Sequence, residues 1–433
     1  GIGNTGLGLV PAEFVTDRFR NCWAAWTILA QGSEAEQQLT FKQFDRIRYP
    51  IDPTRDIYLM ANTWGSTISR HDGQHAARED NILAEINSQA DLGIDIQQID
   101  DGWQGTDYNS WRPVPQNIYA GGTAMEKRAT YAVYPEGWKN VKQAARDAGV
   151  RLGLWAAWTI SADDLIWNYD NGGFLSYKLD FAHLTTMDLY ETLMGKARAL
   201  ISHSKHKVRI NWDVTEAPPR VGYFAGREYG NIYLENRKPV SPAHVVYKPY
   251  LVLRDAWHIA KHLNLNKFQI TVQNVDLINR EVSDAWKHRH DYALAQTLMG
   301  CPIFFQETHY YTEDARKQLR PLIATYKKVR NEMYAGYVFP IGDEPDNQSW
   351  SGFQNHNPET GRGFVTILRQ IENEESRKPI NLNFLAGKQI TLTDLVDGTE
   401  REPTVSKDGT VDFSIPNAGG FAFVQYEVQG SGN

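Results

Sequence analysis

Eight short apolar runs of strand character recur along the first three quarters of the chain, with longer stretches between them. They are 57–64 (IYLMANTW), 95–101 (DIQQIDD), 151–157 (RLGLWAA), 175–181 (LSYKLDF), 208–214 (VRINWDV), 230–236 (GNIYLEN), 268–274 (FQITVQN) and 302–307 (PIFFQE). Runs that stay apolar, rather than alternating, read as strands buried on both faces. The intervening REDNILAEINSQADLG, WKNVKQAARDAG, LYETLMGKARALISHSK, YLVLRDAWHIAKHLN, WKHRHDYALAQTLMG and ARKQLRPLIATYKKVRNEMY predict helices, the first two closed by glycine. Strands alternating with helices imply a parallel sheet. Eight such units over about 250 residues fit an α/β fold of the (β/α)8 barrel type. The crossovers 158–174 and 215–229 show no helical pattern, so the third and fifth units have the least support.

After Gly336 the pattern changes. GFVTILRQ, KPINLNFL, QITLTDLVDG, GTVDFSIP and GFAFVQYEV are separated by Gly, Asn, Asp and Pro, which predicts a C-terminal antiparallel β-sandwich. The expected division is an extension, or the remnant of an upstream domain, over 1–50, a barrel over 51–335 and a β domain over 336–433.

Composition narrows the function. Of 433 residues, 41% are hydrophobic and 22% charged, as in ordinary globular proteins. A net charge of -7 gives no electrostatic case for a nucleic acid or an anionic membrane as partner. No apolar run is long enough to cross a bilayer. The start, GIGNTGLG, lacks the basic-then-apolar form of a signal peptide. A cytoplasmic protein and a secreted one with its signal removed both fit, and a homo-oligomer stays open. Cys22 and Cys301 stand far apart and read as free thiols.

Barrel chemistry sits at the carboxyl ends of the strands. Those ends carry Asn62, Thr63 and Trp64; Asp100, Asp101 and Trp103; Trp155 and Trp158; Lys178 and Asp180; Asn211 and Asp213, with Glu216 beyond; Glu235; Gln273, Asn274 and Asp276; and Gln306, Glu307 and His309. A single acid in such a place often caps the next helix. A ring of acids with tryptophans beside them suits either a hard cation or a sugar. Histidine and cysteine, the usual zinc ligands, are scarce there, so no metal or cofactor is expected. No phosphate-cradling glycine loop, GxSxG elbow or HExxH motif is present. His288 and His290 fall on a predicted helix and read as surface or packing, with metal binding a minor alternative.

ANTWGSTI (61–68), IDDGWQG (99–105), RLGLWAAW (151–158) and YKLDF (177–181), in this order, resemble the strand-end motifs of the retaining α-galactosidase clan, above all glycoside hydrolase family 36. The resemblance implies an exo-acting hydrolase of terminal α-linked galactose. Asp180 would be the nucleophile and Glu235 the acid/base, with Asp213 and Glu216 as rivals for the second role. Asp100 and Asp101 would bind hydroxyls of the terminal sugar, and Lys178 would keep Asp180 ionised. Asn62 and Arg220 would complete the sugar subsite, with Trp64, Trp103 and Trp155 as stacking walls or barrel filling. The chain departs from the family in three places. Glu235 stands where the family has Asp, INWDVTEAPPR replaces its Cys- and Gly-rich segment after strand five, and only about fifty residues precede the barrel. Another sugar of the same clan (α-N-acetylgalactosamine, β-L-arabinopyranose or α-glucose), a transglycosylase and a non-catalytic carbohydrate-binding barrel remain alternatives.

Overall fold

The computed structural model describes residues 27–66, 76–105, 110–114, 134–182, 186–213, 227–234 and 246–430. Eight parallel strands close into a barrel in sequence order. They are β1 (Met60–Asn62), β2 (Ile96–Ile99), β3 (Arg151–Ala157), β4 (Ser176–Asp180), β5 (Arg209–Trp212), β6 (Gly230–Tyr233), β7 (Phe268–Val272) and β8 (Cys301–Phe305). All eight fall on the runs read from the pattern; six are shorter than their runs, β3 coincides with its run, and β8 starts one residue earlier, at Cys301, and stops at Phe305. Gly230 has a structural reason: a Cβ there would lie 1.9 Å from the Ile210 carbonyl oxygen, so β6 can approach β5 only as glycine.

Helices α1 (Glu34–Arg48), α2 (Pro53–Asp56), α3 (Glu79–Leu92), α4 (Lys139–Ala148), α5 (Ala162–Gly172), α6 (Met187–His203), α7 (Pro249–Ala260), α8 (His290–Ala295) and α9 (Glu313–Ala335) are described around the barrel. The crossover 158–174, expected to hold no helix, forms α5. Ser161 caps it through the Asp164 N–H, and Trp138 Nε1 bonds Asn168 at 2.9 Å. Burial of Leu165 and of hydrogen-bonded Asn168 replaces the apolar stripe that the pattern lacked. The expected helix over 286–300 is broken: a 3-10 turn, Ala285–Lys287, precedes the short α8. The His290 N–H donates to Gln318 Oε1 at 2.9 Å instead of continuing a helix. His288 and His290 are both buried, so packing is their role. Residues 215–226 and Cys22 lie outside the described residues, and Cys301 is a buried free thiol.

The C-terminal part has a six-stranded antiparallel sheet in the order β14-β13-β16-β11-β10-β9 and a two-stranded β12-β15 sheet. The strands are β9 (Tyr337–Gly342), β10 (Trp350–His356), β11 (Arg362–Arg369), β12 (Arg377–Asn381), β13 (Ile390–Asp394), β14 (Glu400–Arg401), β15 (Thr410–Ser414) and β16 (Gly420–Val428). One face of the large sheet, with Phe353, Phe364, Leu368 and Phe423, joins the barrel's core. The other, with Trp350, Val365, Ile367 and Tyr426, packs in a separate core with Val411 and Phe413 of the small sheet. Burial on both faces explains why GFVTIL reads as one apolar run.

Helix α1 is clamped to both parts. Lys42 Nζ donates to the Ala260 and Leu263 carbonyls at 2.5 and 2.9 Å, closing the end of α7. Arg46 donates to the Tyr334 and Gly336 carbonyls where α9 leads into the sheet. Among the described residues, no helix is long and apolar enough to cross a membrane.

Candidate active site

The barrel interior is layered along its axis. Arg209 plugs the amino end, its guanidinium 3.2 Å from the centre of the Tyr58 ring. Above it, Asn211 donates to Gln98 at 2.6 Å, and Gln269 donates to Asn211 and to the Tyr58 hydroxyl at 3.0 Å each. Next come the stacked rings of Tyr233 and Phe305, their centres 5.0 Å apart. Lys178 rests on them, its ammonium 4.8 and 5.4 Å from the two centres.

That ammonium is the hub of the carboxyl mouth. It lies 3.5 Å from Asp100 Oδ2, 3.3 Å from Asp180 Oδ2 and 3.2 Å from Asp213 Oδ2. Strand alternation makes this possible, because Lys178 and Asp180, two residues apart on β4, face the same side. Burial alone would lower the Lys178 pKa, but the three carboxylates outweigh it and hold the ammonium well above its usual value.

The carboxylates differ. Burial pushes Asp180 upward, yet the Lys178 charge, the Trp155 indole and the Phe181 N–H together leave it below the usual aspartate value. Trp155 Nε1 donates to Asp180 Oδ2 at 2.8 Å, and Phe181 N donates to Oδ1 at 2.6 Å. Oδ2 therefore faces two cationic or N–H partners and Oδ1 one, which leaves a lone pair of Oδ1 for chemistry. For Asp100 the balance reverses. Burial outweighs Lys178, the Asn62 amide at 2.6 Å and the Asp101 N–H at 2.9 Å, and its pKa is raised. Neighbouring acids with pKa values pushed apart are a mark of functional sites.

Asp101 accepts from Gln104 Nε2 at 2.8 Å. Gly102, at φ 123°, provides the turn that carries the chain from one to the other. Asn62, Asp100, Lys178, Asp180 and Asp213 thus come together, with Asp101 adjoining. Trp64 is half-buried on the inner aromatic cluster, its N–H bonded to Asn62 Oδ1 at 2.8 Å. Of the two readings of Trp103 and Trp155, stacking wall or barrel filling, their full burial fits the second. Trp103 packs on Trp111 and Trp138 and bonds the Trp155 carbonyl at 2.9 Å. Trp155 spends its indole N–H on Asp180. Glu216, Arg220 and Glu235 lie outside the described residues. Past β8, Glu307 accepts from Asn81, while Glu85 gathers the Thr308 and His309 N–H groups and the His309 ring, fixing that loop.

The structure adds Phe181. It is 44% exposed, packs edge-on against Trp155 and holds a left-handed backbone at φ 59°. A non-glycine residue in this region carries strain, here directly beside the candidate nucleophile. An aromatic residue following KLD was the one available signal, and an apolar strand end hid it. Gln104 and Tyr233 are further additions. Among the described residues, no group of three or more His, Cys, Asp or Glu is placed to hold a metal ion.

No family model matches this chain, and no curated protein does. Solved structures do, in their fold, α-galactosidases among them. The galactosidase domain of an α-galactosidase–sucrose kinase, AgaSK, aligns at a TM-score of 0.65 and 13% identity, over 91% of this chain and 58% of that one. A single-residue variant of the GH36 α-galactosidase AgaA from Geobacillus stearothermophilus, in complex with 1-deoxygalactonojirimycin, aligns at 0.63 and 12%, over 91% and 59%. The α-galactosidase I of Mortierella vinacea aligns at 0.58 and 12%, over 86% and 97%. The chain spans less than two thirds of the first two, and at these identities the likeness is one of fold.

Proposed function

We propose that this protein is a retaining, exo-acting glycoside hydrolase that removes terminal α-linked galactose, or a close relative of that sugar, by double displacement. The observation that carries the proposal is the Lys178 hub, with an ionised Asp180 presenting one oxygen. In the first step Asp180 Oδ1 attacks the anomeric carbon while Glu235, protonated, gives its proton to the departing glycosidic oxygen. In the second, Glu235 takes a proton from water, whose oxygen attacks the anomeric carbon and releases Asp180. Asp100, Asp101 and Asp213 accept hydrogen bonds from sugar hydroxyls, and Lys178 donates one.

A 2-deoxy-2-fluoro-galactosyl fluoride tests the nucleophile. Mass spectrometry should find one sugar covalently attached, on the peptide containing Asp180. Label on another carboxylate, or aryl α-galactosidase activity of Asp180→Ala within about tenfold of wild type, would refute the assignment. For Glu235→Ala, azide should restore turnover of substrates with good leaving groups. Rescue of Glu216→Ala or Asp213→Ala instead would move the acid/base role. A panel of aryl α- and β-glycosides identifies the sugar.

A further inference from the structure

The opposite mouth of the barrel, at the amino ends of the strands, holds a cavity of about 340 Å³. Five cations line it, Arg55, Arg151, Lys205, Lys207 and Arg209, against one acid, Asp52. In a chain of net charge -7 this excess is local. The amino face of a barrel ordinarily serves stability, and cations that stabilise are matched by carboxylates. Arg55 is matched in this way, 2.7 Å from Asp56, and Arg330 is paired with Asp95. Among the described residues Arg151, Lys205, Lys207 and Arg209 make no ion pair. Asp52 spends Oδ1 on the Thr54 N–H and hydroxyl.

Arg209 is only 1% exposed, and its Nε is buried without a hydrogen-bond partner. Among the described residues its one side-chain hydrogen bond runs from Nη1 to the Arg55 carbonyl at 2.5 Å. Arg151 lies close by on β3, where burial and then the Arg209 charge push its guanidinium below the usual value. Asp95 offsets part of this from a distance, but neither guanidinium has an ion-pair partner among the described residues. Two buried guanidiniums so placed are costly, and a bound anion lowers that cost. The rim is a tight turn after α6 in which Lys205 and His206 are left-handed, at φ 53° and 61°.

We propose that this cavity binds a tetrahedral oxyanion, either inorganic phosphate or a small phosphomonoester. Arg151 and Arg209 hold it from the barrel floor and Lys205 and Lys207 from the rim. Guanidinium forks match two oxygens of such an anion, and a cavity above about 300 Å³ also leaves room for a small ester substituent.

The test is calorimetric titration of the whole chain with inorganic phosphate and, separately, glucose 6-phosphate, at fixed ionic strength with chloride as reference. One saturable site is expected. Arg151→Gln should weaken it by about tenfold or more, and the exposed pair Lys205→Asn with Lys207→Gln by about tenfold. Asp180→Asn, at the other mouth, should leave it unchanged. Binding of both probes assigns the site to the free oxyanion, and binding of glucose 6-phosphate alone to phosphomonoesters. Saturable binding of neither, or equal affinity in all variants, would overturn the proposal. Should Arg151→Gln fail to fold, the exposed double variant decides.

Discussion

Replacing Lys178 with Met separates charge from packing. The thioether keeps the stem on Tyr233 and Phe305 but removes the cation that three carboxylates share at 3.2–3.5 Å. Two unit charges 3.3 Å apart attract by roughly 5 kcal/mol at an effective dielectric of 20, before desolvation is subtracted. Breaking a buried ion pair on one side typically costs about 3–5 kcal/mol, because the other charge is left uncompensated. The loss of unfolding free energy near neutrality should therefore be on the order of 3–5 kcal/mol. The pH dependence has a definite sign. Asp180 sits below its unfolded value, so its contribution is present above that value and vanishes as pH falls through the folded one. The difference between wild type and Lys178→Met should thus be full at neutrality and smaller at about pH 3, below the unfolded aspartate value of about 3.9. Urea unfolding followed by tryptophan fluorescence at both pH values measures it. In kinetics on an aryl α-galactoside, kcat should fall on the order of 10²–10³-fold and the acid limb should move to higher pH. A stability loss below about 1 kcal/mol, the size of a surface pair, together with an unmoved acid limb, would refute the hub argument.

Three further outcomes follow from the geometry. Phe181→Gly fits the left-handed backbone and keeps the N–H on Asp180, so KM for aryl glycosides should rise several-fold with little change in kcat. Phe181→Ile, β-branched at positive φ, should instead reduce kcat by displacing that N–H, and steady-state kinetics of the pair would expose an error if both changed alike. Asp100 has a raised pKa, because burial of its carboxylate outweighs Lys178 and its hydrogen bonds. Asp100→Asn should gain on the order of 1 kcal/mol in thermal unfolding while weakening competitive inhibition by galactose, and a loss of stability would contradict this. Lys42 is held by burial at a pKa of about 7 against an ordinary 10.5, offset in part by Asp45. Its folded pKa lies below the unfolded one, so stability should rise between those limits by about 1.4 kcal/mol per pH unit. Lys42→Met should abolish that rise in denaturation curves, and a parallel pH response in both proteins would exclude it.

Much of this molecule was legible in the chain. The eight barrel strands could be found because a parallel strand covered on both faces must be apolar nearly throughout, whatever its neighbours. The candidate mouth was legible because barrel topology puts chemistry at strand ends, and Lys178 and Asp180 share a side by alternation alone. Other features were set by contacts between distant segments. Helix α5 lacks an apolar stripe and rests on Trp138 bonding Asn168. The helix expected over 286–300 is broken by Gln318. The sequence left Trp103 and Trp155 between stacking walls and barrel filling, and only packing could show that both are enclosed and that one bonds Asp180. Nothing in KLDF reveals that Phe181 turns left-handed and stays exposed. The sequence by itself determined which residue types stand at each strand end, since backbone periodicity is local. Only the tertiary structure decided that acids from three strands converge on one ammonium, and that Arg151 and Arg209 meet at a cavity of the other mouth without an ion-pair partner among the described residues. Burial and charge balance are properties of the assembled barrel and belong to no segment alone.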